Sequence, residues 1–167
     1  MNRLLTRLLT FPNPVNEVSA RLVAAGVVLL GITTIVVDQR WLYVLLAYGF
    51  VARVLTGPTL SPLGQLVTRG IVPRLSVPQK WVPGPPKRFA QGIGATFSVA
   101  ALVARFGADA RPAAAVLVGF VVVAATLESV FAYCLGCKVF ALLMRVGVIP
   151  ASVCEECNDI SRRVRTG

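Results

Sequence analysis

The four cysteines of this chain are its clearest candidates for chemistry, because they form two C-x-x-C pairs near the C-terminus. The pairs are Cys134 with Cys137 and Cys154 with Cys157, and sixteen residues separate them. Four cysteines at such a spacing are typical of a zinc site. A C-x-x-C pair is also typical of a redox dithiol, whose two thiols form and release a disulfide. The pattern therefore predicts either a metal centre or thiol chemistry.

Geometry favours one of these interpretations over the other. Tetrahedral zinc needs all four sulfurs about 2.3 Å from one ion, so residues 149–153 would have to fold back beside the preceding helix. Two separate dithiols need no such closure, and on that ground we favour redox or sulfur-transfer thiols. Zinc or an iron–sulfur cluster on the four cysteines, and cysteines without chemistry, are the alternatives. In a reducing compartment a metal or a transient disulfide is favoured over a permanent one.

The second cysteine pair follows a helix start signal. Ser152 and Glu155 have the spacing of a capping box, which predicts a final helix over about residues 153–164. The pair would then lie in the first turns of that helix, where unpaired N–H groups and the helix dipole stabilise a thiolate.

Glu128 is the one acid well inside an apolar segment. Charged side chains at such positions are costly and are functional candidates by default. Glu128 precedes Cys134 by six residues, so on a continuous helix the two would lie about 240° apart. We therefore expect them not to share a face. Glu128 is either a proton donor or acceptor for the thiols, or a protonated or paired residue that bonds a neighbouring helix.

The composition predicts an integral membrane protein. Hydrophobic residues make up 56% of the 167 residues and charged residues 14%, with a mean hydropathy of +0.74. Soluble proteins carry roughly 25% charged residues. The net charge is +10, but no basic stripe with interleaved aromatics indicates nucleic-acid binding. The chain contains no histidine, so any metal would rest on cysteine or carboxylate.

The predicted fold is an all-α integral membrane protein that forms a single membrane domain over residues 1–167. Four transmembrane helices arranged as two hairpins are predicted over residues 18–37, 41–55, 89–106 and 113–134. A helix of about 20 apolar residues matches the thickness of a bilayer. Amphipathic surface helices are predicted over residues 4–11 and 139–148, the latter within a cysteine-containing tail, residues 134–167. The break between the fourth span and this tail is predicted near Gly136.

A proline-rich loop connects the second and third predicted spans. Residues 57–86 hold seven of the eleven prolines, so no single regular element can cover them. Ser61 and Pro62 predict the N-cap and first position of one short helix. The loop is either an ordered spacer or a lid over the cysteines. Lys87 and Arg88, which follow it, are expected to contact lipid headgroups.

The basic residues predict the orientation. Fourteen of the seventeen lie in the two terminal regions and the long loop, and three lie near the short connections, namely Arg40, Arg105 and Arg111. By the positive-inside rule the rich side faces the cytoplasm. We therefore predict a multi-pass protein of the inner (plasma) membrane with both termini, the loop and all four cysteines on the cytoplasmic side.

Three segments resemble a known family. They read TGPTLSPLGQLVTR, GPPKRFAQGIGA and AYCLGCKVF, and they look like the bacterial membrane family catalogued as domain of unknown function 4395. The resemblance covers about residues 12–140 and implies a small multi-span membrane protein. Family members are often encoded near thioredoxin-like or rhodanese-like sulfurtransferase proteins. That context implies thiol or sulfur chemistry, although the resemblance carries no established activity.

The functional hypothesis is thiol–disulfide redox or sulfur handling at two C-x-x-C pairs, with a soluble thioredoxin-like or rhodanese-like partner. The alternative is a structural four-cysteine zinc or iron–sulfur site in a membrane scaffold or small transporter subunit. Membrane lipid is an expected partner, as is a second copy of the chain, whereas nucleic acid is not. The sequence does not decide whether the protein is an enzyme.

Overall fold

The computed structural model describes residues 11–154 and 157. In chain order its elements are β1 (Val15–Asn16), α1 (Glu17–Val37), α2 (Arg40–Thr56), α3 (Pro62–Gln65), β2 (Trp81–Val82), α4 (Gly84–Gly107), α5 (Arg111–Phe131) and α6 (Leu135–Arg145). The predicted surface helix over residues 4–11 and the predicted final helix over residues 153–164 lie almost entirely outside the described residues.

Three of these helices, α1, α4 and α5, are long and apolar enough to cross a membrane. The prediction of an all-α membrane protein is confirmed at that level. Helix α2 has 17 residues and coincides with the second predicted span. Its crossing of the bilayer stays a prediction, as does the arrangement of four spans in two hairpins.

Helix α4 begins at Gly84, five residues before the predicted start of the third span. Pro85 lies in its first turn, where a backbone N–H would have no helical partner and a proline is therefore tolerated. The prolines that indicated a loop thus begin the helix. The preceding loop also contains the predicted short helix: Ser61 caps α3, and its side chain accepts a hydrogen bond from the Gly64 N–H at 3.2 Å.

The predicted break between the fourth span and the surface helix is present, but it lies just before Gly136 rather than at it, since α5 ends at Phe131 and α6 begins at Leu135. Ala132 ends α5 in the left-handed conformation, with φ 54°. Gly136 is helical, and a Cβ atom on it would lie 2.5 Å from the Ala90 Cα. Its role is therefore the close approach of α6 to α4 rather than the end of a helix.

Contacts between helix ends show which of these ends lie together in the bundle. Strands β1 and β2 pair antiparallel, which places the starts of α1 and α4 side by side. Arg21, near the start of α1, donates to the backbone carbonyls of Ser129 and Val130 at the end of α5. Arg53, near the end of α2, donates to Gln91 near the start of α4 at 3.0 Å. We call this end of the bundle the cysteine end, since α6 begins there.

The main packing partners are not the neighbours in sequence. Helix α1 packs chiefly on α5, α2 packs on α4, and α4 also contacts α5 and α6. The shared core is built from buried apolar side chains of all four long helices, including Val27, Leu46, Ala101 and Val118. Many large apolar side chains on the outer faces are exposed, such as Val36 at 76%, as expected of surfaces that contact lipid.

An ionic cluster ties the helices together at the opposite end. The Asp38 carboxylate accepts hydrogen bonds from Arg105 at 3.1 Å and from the Tyr43 hydroxyl at 3.1 Å, and it pairs with Arg111 at 3.3 Å. Arg105 also pairs with Asp109. The hydrogen bond from Arg105 is the largest cause of a lowered pKa of Asp38. The charged carboxylate therefore links four helices.

The lowered pKa of Asp38 predicts a loss of stability in acid. Its carboxylate stabilises the fold above the ordinary pKa of 3.8, and that contribution is lost as the pH falls through the lower, folded-state value. Asp38→Asn should lower the Tm in detergent at neutral pH, and the difference from the wild type should shrink toward about pH 3. Asp109→Asn, at a carboxylate that is 60% exposed, should cost less. A difference for Asp38→Asn that stays constant with pH would contradict this assignment.

Candidate functional site

The first cysteine pair forms the start of α6. Cys134 is the N-cap residue, and its Sγ accepts a hydrogen bond from the Cys137 N–H at 3.3 Å. Because the N-cap and the third helical residue lie on the same side of the first turn, the C-x-x-C spacing brings the two sulfurs together. The pair is joined by a disulfide, with the Cα atoms 5.3 Å apart.

The second pair is closed in the same way. A 3-10 turn, Ala151–Val153, leads into Cys154, and the Cys157 N–H donates to the Cys154 carbonyl at 3.1 Å. A disulfide joins the two cysteines, with the Cα atoms again 5.3 Å apart. Glu155 of the predicted capping box lies outside the described residues.

In both pairs, the first cysteine is less accessible than the second. The first cysteine is buried in each case, with Cys134 9% exposed and Cys154 4% exposed. The second cysteine, Cys137 or Cys157, is only partly buried. A thiol that approaches from outside therefore meets the second sulfur of each pair first.

A cavity of about 1090 Å³ at the cysteine end, which we call the surface cavity, is lined by residues of both pairs. Three of the four cysteines line it, namely Cys134, Cys137 and Cys157. The other lining residues include four cations, which are Lys80, Lys87, Lys138 and Arg145. The lining also includes Glu17, which pairs with Lys80, and Lys87 is paired with Glu128. Lys138 and Arg145 therefore give the cavity its excess positive charge, which suits an approaching group that carries negative charge.

Glu128 is held by an ion pair. The Lys87 Nζ atom lies 2.5 Å from the Glu128 Oε1 atom, and the two side chains are only 11% and 14% exposed. Lys87 thus contacts a carboxylate between α4 and α5 instead of the expected lipid headgroup. Of the two interpretations of Glu128, a paired residue that bonds a neighbouring helix describes its contact, and a role in proton transfer stays a prediction.

The expectation that Glu128 and Cys134 lie on different faces does not describe their surroundings. Both residues line a second, smaller cavity of about 340 Å³ inside the bundle. The calculation from helical periodicity assumed a continuous helix. The break at Ala132 separates α5 from α6, so that assumption does not hold.

Arg53 is a buried polar residue that sequence reasoning counted only as a loop charge. Its side chain is 6% exposed, donates to Gln91 at 3.0 Å and to the Ser61 hydroxyl at 3.4 Å, and lies over the Phe50 ring. The signal was available, since Arg53 lies inside the second predicted span. A cation within an apolar segment is a candidate for a specific partner.

The arrangement of the cysteines bears on the metal interpretation. Among residues 11–154 and 157, no group of three or more cysteine, aspartate or glutamate side chains is positioned to hold a metal ion. Each sulfur is bonded within its own pair, so the four sulfurs do not present a tetrahedral ligand set. The zinc site stays a prediction, and no step below depends on it.

A known protein family matches most of this chain. The sequence profile of one family, described as Domain of unknown function (DUF4395), matches residues 15–145. The chain belongs to the DUF4395 family. The predicted resemblance is therefore confirmed. No curated protein and no solved structure matches the chain. The DUF4395 match contains helices α1 to α6 and the first cysteine pair, whereas the second pair lies beyond its end.

The ion pair predicts a measurable coupling in stability. Lys87→Met or Glu128→Gln alone leaves a charge buried without its partner, and each should cost about 3 kcal/mol of unfolding free energy. The double variant should cost clearly less than the sum. Unfolding in mixed micelles would measure the cycle. The pair of Lys80 and Glu17, 3.4 Å apart with the lysine side chain 64% exposed, is the control and should couple by less than about 1 kcal/mol. Additive costs at Lys87 and Glu128 would contradict a buried ion pair.

Proposed function

We propose that this DUF4395 protein is a membrane-bound thiol–disulfide redox protein. The observation that carries the proposal is that both C-x-x-C pairs are closed as disulfides and that Cys134, Cys137 and Cys157 line one cavity. A cavity that is lined by both pairs and open to an incoming group is suited to passing electrons by thiol–disulfide exchange. The membrane helices hold that cavity at the bilayer surface.

Exchange begins at the more exposed sulfur of the first pair. A thiolate of a reduced partner attacks Cys137 Sγ, the bond to Cys134 breaks, and Cys134 leaves as a thiolate. The partner's second thiolate then attacks the partner sulfur of the mixed disulfide and releases Cys137. Two electrons and two protons pass from the partner dithiol to the two cysteines, and the partner departs as a disulfide.

The helix start makes Cys134 a good leaving group. Its sulfur already accepts the Cys137 N–H in the disulfide state, and the unpaired N–H groups of a helix N-terminus stabilise a negative sulfur. The backbone thus provides this stabilisation without movement. The buried position of Cys134 keeps the thiolate away from other thiols in solution.

The second pair exchanges with the first across the surface cavity. The Cys137 thiolate attacks the Cys154–Cys157 disulfide at Cys157, the sulfur that lines the cavity. Cys134 then closes the first disulfide again, and the electron pair rests on the second pair as a dithiol. Glu128, which lines the smaller cavity together with Cys134, serves as the group that accepts and returns the proton of the Cys134 thiol.

The partner is a soluble thioredoxin-like protein, in keeping with the surface cavity and its four cations. The same cations favour sulfur handling as a second function with a rhodanese-like partner, because they would attract the anionic persulfide of a sulfur donor. In that reaction the terminal sulfur passes from the donor persulfide to the Cys137 thiol, and the donor leaves as a thiolate. Assembly of the chain into a homo-oligomer is a further prediction.

We further propose that α2 crosses the bilayer together with the other three long helices, and that the cysteine end faces the cytoplasm. Contacts at the cysteine end support this, since Arg21, Arg53, Lys87 and Arg88 all form their hydrogen bonds there. A basic end of this kind is the one that the positive-inside rule keeps in the cytoplasm.

Replacing the buried cysteine should trap the exchange. In a chain whose Cys154 and Cys157 are replaced by serine, Cys134→Ser should leave Cys137 in a stable mixed disulfide when the reduced protein meets oxidised glutathione, because no other thiol of the chain displaces the glutathione. In Cys137→Ser, the buried Cys134 should form the adduct about tenfold more slowly. Mass mapping of proteolytic fragments would measure both adducts. Equal rates at the two cysteines would contradict the assignment of Cys137 as the attacked sulfur.

Labelling in intact cells tests the orientation. In a chain whose own cysteines are replaced by serine, Ala108→Cys places one thiol on an exposed residue after α4, at the end opposite to the cysteines. A membrane-impermeant maleimide should label this thiol in spheroplasts. Cys137, kept alone, should be labelled only after the membrane is broken. The reverse pattern would place the cysteine end outside the cytoplasm.

A further inference from the structure

The smaller cavity, which we call the membrane cavity, gives the first disulfide a second accessible side. Its volume of about 340 Å³ lies within the range of roughly 300–1,000 Å³ that is usual for small-molecule sites. Within the part of the chain that the structure describes, Cys134 is the one cysteine that lines it, and Cys134 lines the surface cavity as well. One sulfur of the disulfide therefore lies between an aqueous approach and the bundle interior.

The lining combines three aromatic rings with two polar groups. Phe50, Phe97 and Phe120 contribute aromatic rings, and Gln91 and Glu128 contribute an amide and a carboxylate. Aromatic rings favour a flat partner in stacked or edge-to-face contact. The amide provides donors, and the carboxylate, which is paired with Lys87, provides an acceptor.

The membrane cavity is bordered by side chains that are suited to lipid contact. Three of its lining residues are apolar and exposed, namely Phe120 at 59%, Leu135 at 39% and Val139 at 43%. Phe120 belongs to α5, which is long and apolar enough to span a membrane. A ligand that enters past these residues would come from the hydrocarbon phase rather than from water.

We infer that the membrane cavity binds a lipid-soluble quinone, which accepts the electrons of the Cys134–Cys137 dithiol. The inference rests on the proposed function and names its oxidant. A quinone ring is flat and apolar, carries two carbonyl oxygens that accept hydrogen bonds, and moves within the bilayer. These properties match the three aromatic rings, the polar groups of Gln91 and Glu128, and the apolar border of the membrane cavity.

The reaction balances as a two-electron transfer. The Cys134 and Cys137 thiols lose two protons and two electrons and form the disulfide, while the quinone gains both and becomes the quinol. Cys134 is the sulfur next to the quinone, and Cys137 closes the bond. Glu128 relays a proton, because it lines the membrane cavity and is bonded to Lys87, which lines the surface cavity.

The test uses the full chain in lipid nanodiscs, reduced and freed of reductant. The probe is a benzoquinone whose ring is fully substituted, so that thiols cannot add to it. Absorbance measures quinol formation. The wild type should reduce about two quinones per chain, since each pair is a two-electron couple. Cys154→Ser with Cys157→Ser should reduce about one, and Cys134→Ser with Cys137→Ser should reduce none, because the second pair does not line the membrane cavity.

Filling the membrane cavity provides the matched variant. Ala124 lines the cavity, so Ala124→Phe should slow quinol formation by about tenfold or more. Ala113→Phe adds the same side chain to the same helix at an exposed position away from the cavity and should leave the rate within about twofold of the wild type. Equal rates in the two variants would overturn the inference.

Exchange with a small dithiol distinguishes a failure of this inference from a failure of the proposed function. If dithiothreitol reduces the first pair in Ala124→Phe as it does in the wild type, the variant is folded, and the slower quinol formation belongs to the membrane cavity. If the wild type exchanges with dithiothreitol but reduces no quinone, this inference is wrong and the proposed function stands. If neither reaction occurs, the proposed function fails as well. Quinol formation by the chain that keeps only Cys154 and Cys157 would also overturn the inference.

Discussion

The buried ion pair between Lys87 and Glu128 fixes the place where the cysteine chemistry is built. It joins the start of α4 to the end of α5 at 2.5 Å, in surroundings where an unpaired charge would be costly. One helical turn after Lys87, Ala90 packs against Gly136 of α6. The position of α6, and with it the position of Cys134 at the start of that helix, therefore depends on how the ion pair holds α4 and α5 together.

Cys134 lies at a helix start and lines two cavities, so this cysteine has two different kinds of neighbour. On one side lie a cation-lined surface and the second cysteine pair, and on the other lie apolar rings and Glu128. The surface side is suited to exchange with a soluble protein, and the interior side to a partner dissolved in lipid. On the proposed function, a membrane location has a chemical reason, because the disulfide would connect thiols in water with a carrier in the bilayer.

Much of this arrangement could be predicted, because the residue types themselves indicate the local structure. Apolar runs predicted the long helices, Ser61 and Pro62 predicted α3, and the C-x-x-C spacing predicted paired sulfurs. The helix break at Ala132 could not be predicted, since alanine rarely ends a helix in the left-handed conformation. The partner of Glu128 was also missed, because Lys87 follows a proline-rich segment and reads as a headgroup contact unless the register of α4 against α5 is known.

The most direct test of a two-disulfide site is a redox titration of the full chain in nanodiscs, with each bond mapped by mass spectrometry and the metal content measured on the same sample. The account predicts reversible two-electron formation of Cys134–Cys137 and Cys154–Cys157 bonds, with no dependence on a chelator. Four thiols that become reactive only after a chelator removes about one metal ion per chain would contradict it. Bonds that cross from one pair to the other at equilibrium would contradict it as well.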